Sequence, residues 1–117
     1  MNKIKLISVG LLLKLSEKYD GNWYWIPGYE EIYAISDCGQ IAVYRGTPQR
    51  QKSKLMKLHK NKKGYLFVRL SRDGQVKQRL VHLIVGEVFL CNCDNFTRIN
   101  HKNGINTDNR VNNLEWY

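Results

Sequence analysis

The sequence predicts a small α+β protein, a mainly antiparallel β-sheet with one packed helix. Three observations predict it. Alternating apolar and polar stretches are separated by turn dipeptides such as Asp73-Gly74 and Asn103-Gly104, Val81–Leu90 has helical rather than alternating spacing, and residues 97–117 read strand, loop, strand. A chain of 117 residues that is 43% hydrophobic has apolar surface enough for about one domain.

The N-terminal segment, 1–22, opens with Lys3 and Lys5 ahead of the apolar run Leu6–Leu13. Lys14 interrupts the run, no small-residue cleavage site follows, and the run is too short to span a bilayer, so a buried strand or short helix is expected and no membrane association. Residues 23–46 form an aromatic-rich unit. Pro27-Gly28 marks a turn, Ile32–Ser36 a strand, Asp37-Cys38-Gly39 a second turn and Gln40–Arg45 a second strand. Gly46–Ser53 reads as a polar linker.

Residues 47–80 are dominated by a basic meander, with strands at Lys54–His59, Tyr65–Ser71 and Gln75–Leu80. Along the middle strand Leu66, Val68 and Leu70 point inward; Tyr65, Phe67 and Arg69 point outward, with Lys57 and Lys77 or Arg79 expected near them. In the last unit, 81–117, the helix Val81–Leu90 carries His82 at its start as a partly buried or capping residue. A loop, Cys91–Phe96, then delivers the chain to a strand ending at His101; a polar loop, Asn106–Asn112, leads to a final strand at Asn113–Tyr117.

The net charge is +9, and it is concentrated: Arg45–Arg79 holds twelve Lys or Arg against the single Asp73, a balance of +11. That excess points to a polyanion, and a two-stranded basic ribbon fits the major groove of duplex DNA. Lys54, Lys57, Lys62, Lys63, Tyr65, Arg69, Arg72, Lys77 and Arg79 are the expected DNA contacts. A solvated outer sheet face is the plainer alternative. Cys38, Cys91 and Cys93 are odd in number and lack a CxxC pair, which argues for reduced thiols in a cytoplasm and against a disulfide scaffold; a zinc site using Cys91, Cys93 and a histidine stays open.

The chemistry-bearing stretch is Thr97–Tyr117. Neutral imidazole at a strand end, as at His101, suits general-base work, the Asn100 amide oxygen suits a hard cation such as Mg²⁺, and Asn113 can bond loop backbone and pin the histidine. The same residues also fit a surface histidine beside an ordinary polar loop.

Val81-His82-Leu83-Ile84-Val85 with Phe89, Asn100-His101-Lys102-Asn103-Gly104, and Asn109-Arg110-Val111-Asn112-Asn113-Leu114-Glu115-Trp116 together resemble the HNH endonucleases of the phage and homing type. Trp25-Ile26-Pro27-Gly28-Tyr29-Glu30, Tyr33, Ser36-Asp37 and Gly39-Gln40-Ile41 resemble the small DNA-binding motif found ahead of such cores. The resemblance implies a ββα-metal (His-Me finger) element and metal-dependent hydrolysis of double-stranded DNA in a host cytoplasm. His101 would be the general base, Asn113 the asparagine that fixes the loop, and Asn100 a ligand of Mg²⁺ or another divalent ion. The family's second strand leads into a helix with a further ligand; this sequence ends at Tyr117, so an incomplete element and a weakly held ion are expected. The alternative implied is a catalytically inactive nuclease derivative that binds DNA or inhibits a DNA-binding protein.

Overall fold

The computed structural model describes residue 15 and residues 17–47 and 50–117. The apolar opening therefore lies outside the described residues except for Leu15, which is buried beside Trp23, Trp25, Ala34 and Ala42.

Trp23–Trp25 (β1), Tyr33–Ser36 (β2), Ile41–Thr47 (β3) and Arg50–Leu55 (β4) make one antiparallel sheet in that order. The Asp37–Gly39 turn closes with Gly39 at φ 83°, the left-handed region that glycine occupies without strain. Instead of the expected linker after Gly46, the chain doubles back: β4 pairs with β3 from Ala42↔Leu55 to Thr47↔Arg50. Arg50–Leu55 is almost wholly polar, so no period-two hydrophobic signal marks it; the open edge of β3 recruits it through backbone groups.

His59–Lys60 (β5), Leu66–Arg72 (β6) and Gln75–Leu80 (β7) form the meander, so the strand expected at Lys54–His59 is divided between two sheets. Asp73 and Gly74 both have positive φ, 52° and 77°, the tight hairpin turn that Asp-Gly favours. Antiparallel pairing puts directly opposed residues on one face. Lys77 opposes Leu70 and Arg79 opposes Val68, which places both cations on the rim of the core face and not beside Arg69, whose partner is Gln78. Phe67, expected outward, is covered by the His59 ring at 5.6 Å and the Arg69 guanidinium at 5.3 Å.

The helix α1 (Val81–Phe89) follows β7 directly and buries Val81, His82, Ile84, Val85 and Gly86. It lies on the last hairpin, Ile99–His101 (β8) paired with Leu114–Trp116 (β9). The approach is close: a Cβ on Gly86 would run into the Ile99 side chain and sit 2.8 Å from Cζ2 of Trp116. One core joins Ile26, just after β1, and Tyr33, Ile35 and Ile41 of the first sheet to Val68, Leu70, Ile84, Val85, Ile99 and Leu114, so residues of the 23–46, 47–80 and 81–117 units share an interior. The Ser71 amide also donates to Tyr33 Oη at 3.1 Å, tying β6 to the first sheet. No described helix is long and apolar enough to cross a membrane.

Candidate active site

His101 ends β8 and turns inward, 6% exposed. Its ring stacks on Tyr65 at 5.8 Å and meets His82 edge-on at 5.1 Å. The bond that orients it comes from Asn109: His101 Nε2 lies 2.8 Å from Asn109 Oδ1. An amide oxygen only accepts, so Nε2 carries the proton and Nδ1 keeps the lone pair. The bond to Asn109 therefore leaves Nδ1 as the ring atom able to accept a proton.

Asn113, on the short 3₁₀ turn Val111–Asn113, works on the loop and not on the ring. Its Nδ2 donates to Asp108 O at 2.8 Å and to Asn103 Oδ1 at 3.0 Å, and its Oδ1 accepts from Asn103 N at 3.1 Å. Asp108 adds Asn103 Nδ2 at 2.8 Å and two bonds from the Arg110 guanidinium, which holds the Asp108 carboxyl well below the usual carboxylate range. The loop behind His101 is consequently cross-tied at both ends.

Asn100 is exposed, and its Nδ2 donates to Glu115 Oε1 across the β8–β9 pair at 3.0 Å. That leaves the Asn100 amide oxygen and the Glu115 carboxylate as neighbouring oxygen donors, a set that suits a hard divalent ion completed by phosphate and water. Among the described residues no group of three His, Cys, Asp or Glu could hold a metal ion, so a Cys91, Cys93 and histidine zinc site is not formed; both thiols are exposed and contact each other without a disulfide.

His82 is buried, and its Nδ1 has no partner. Burial, with a smaller contribution from His101, lowers it from 6.5 to about 4. Below pH 6.5 the unfolded chain takes up a proton that the folded chain refuses, so the stability tied to this group is whole above about pH 6.5 and drains away toward pH 4. We expect a loss on the order of 2 kcal/mol over that window, and a smaller one in His82→Phe, read from urea midpoints at pH 7 and 4.5.

The expected DNA contacts fall into separate groups. Lys54 and Lys57 are exposed at the end of the first sheet, while Lys62 and Lys63 are exposed on the β5–β6 turn. Tyr65 is not on an open sheet face but in the ring cluster, 5.0 Å from His82. Arg69 is exposed on one face of the ribbon. Arg72, Lys77 and Arg79 line a groove of about 420 Å³ with Pro27, Gly28 and Tyr29; within it Arg72 donates to Gly28 O at 2.7 Å and Arg79 pairs with Glu87 at 2.9 Å. Sequence reasoning missed Asn109, which nothing distinguishes from Asn106 or Asn112 in the same loop. It also missed Glu115, which a strand register pairing Asn100 with it would have found.

A family model described as the NUMOD4 motif matches residues 22–71, from the start of β1 into β6. The protein named "Uncharacterized HNH endonuclease L245", from Acanthamoeba polyphaga mimivirus, is 34% identical over 84 residues, 72% of this chain and 23% of the relative. The solved structure reported as "DNA binding and cleavage by the HNH homing endonuclease I-HmuI" superposes with a TM-score of 0.69 at 28% identity, covering 82% of this chain and 52% of that one. The chain thus spans about a quarter of the first relative's length and about half of the second's. Neither name points to an inhibitor of another protein.

Proposed function

We propose, on the premise that this chain is a NUMOD4-bearing relative of the phage and homing HNH endonucleases, that it binds double-stranded DNA and hydrolyses a phosphodiester with His101 as general base. The observation that carries this reading is the 2.8 Å bond from His101 Nε2 to Asn109 Oδ1, which reserves Nδ1 for a proton. As water attacks phosphorus its proton passes to Nδ1, and the opposite ester oxygen departs. Asn113 keeps the loop from carrying the ring out of line. Asn100 Oδ1, with Glu115 beside it, would hold the divalent ion, which supplies charge to steady the phosphorane-like transition state.

The ribbon β6–β7 supports the duplex part of the reading. Arg69 is exposed on its outer face, and Arg72, Lys77 and Arg79 line the groove at the rim of its core face, so cations on the outer face and along the rim can meet phosphates of a duplex.

The test is nicking of supercoiled plasmid in Mg²⁺ or Mn²⁺, stopped by chelation. A second reading, duplex binding without cleavage, is favoured by the small set of protein donors around Asn100. Tight, salt-sensitive binding with no nicking in either ion would replace the first reading with the second.

A further inference from the structure

Resting on the general-base reading of His101, the geometry points to the β2–β3 turn of the NUMOD4 motif as a strut that positions the histidine through Asn109, with Gly39 as the positioning residue. The two regions are far apart in sequence yet in direct contact. A Cβ on Gly39 would lie 2.8 Å from Asn109 Cβ and 3.0 Å from its carbonyl oxygen, so only a glycine lets the turn sit flat against that backbone. Two residues on, the Val111 amide donates to Asp37 O at 2.9 Å and fixes the register of turn and loop. Asn109 is 3% exposed and has no room to retreat into solvent.

The turn itself is stiff. Ser36 Oγ accepts from the amides of Cys38 and Gln40, both at 3.2 Å, and the Gly39 amide donates to Ser36 O at 3.0 Å. The Asp37 carboxylate in turn receives Asn22 N at 3.1 Å and Asn22 Nδ2 at 2.9 Å, anchoring the turn to the residue that leads into β1. A continuous path of short contacts therefore runs from the start of β1 through the turn to Asn109 Oδ1 and the His101 ring. The motif contributes to the reacting centre as well as to the grip on DNA.

The test is a double-mutant cycle in the full chain with Gly39→Asn, Asn109→Ala and both together. Asparagine tolerates positive φ, so Gly39→Asn keeps the turn and adds the colliding Cβ. Single-turnover nicking at saturating protein should fall about tenfold or more in each single variant, a change of about 1.4 kcal/mol in the barrier, with duplex Kd unchanged within about twofold. In the Asn109→Ala background Gly39→Asn should add less than about a twofold loss, because residues in series are not additive. Multiplying effects, or a loss in Kd that matches the loss in rate, would overturn the strut.

A second measurement is independent of cleavage. Ring ¹⁵N–¹H spectra of the parent should show His101 as the Nε2–H tautomer, and Gly39→Asn should mix the tautomers or broaden the signal. An unchanged His101 pattern in Gly39→Asn overturns the proposal even if the protein nicks, whereas a parent that shows the pattern but does not nick refutes the functional reading alone.

Discussion

Replacing His101 with alanine is expected to lower metal-dependent nicking by about 10²–10⁴-fold, the usual worth of a positioned general base, with duplex affinity held within about twofold. The split follows from where the ring sits. It is buried against Tyr65, His82 and Asn109, so its loss removes a proton acceptor and no exposed cation. Truncation also leaves a void in the ring cluster, so rates are compared well below the melting temperature of the variant. Single-turnover nicking and fluorescence anisotropy on the same duplex check the two halves, and a variant that nicks as fast as the parent ends the assignment of His101.

Neutralising the free cations of the β5–β7 sheet has the second large expected effect. Lys62, Arg69 and Lys77 are exposed, whereas Arg72 and Arg79 are tied to Gly28 and Glu87 and would disturb packing if removed. Each phosphate contact adds about 0.9 to the slope of log affinity against log salt, so the triple alanine variant should lose a slope of about 2–3 and bind about 10²-fold more weakly at low salt. Arg69 also covers the Phe67 ring, so affinities are compared well below the melting temperature of the variant. An unchanged salt slope would mean that DNA lies elsewhere.

The α+β class, the Asp73-Gly74 and Asn103-Gly104 turns, the helix at Val81 and the strands around His101 were all legible because local chemistry decides them. Positive φ selects glycine at turns, as at Gly74 and Gly104, and a period of two or of 3.6 residues separates strand from helix. Where local chemistry is silent, placement depends on the partner strand. Arg50–Ser53 has no apolar alternation and reads as the end of a linker, although the edge of β3 holds it. Lys77 or Arg79 is expected beside Arg69, yet Gln78 takes that place, because the face a residue takes depends on register with the partner strand, which single-strand alternation leaves undefined.

The amino-acid sequence by itself determined the turns, the periodicities, the basic segment and the pairing of a histidine with an asparagine at a strand end, all properties of residues near one another along the chain. Tertiary structure alone decided that Asn109 and not Asn113 touches the His101 ring, that Glu115 stands beside Asn100, and that the Asp37–Gly39 turn presses on the histidine loop. Those contacts join distant segments packed around one shared core, and such packing selects among several chemically equivalent asparagines by position, a property that residue identity does not encode.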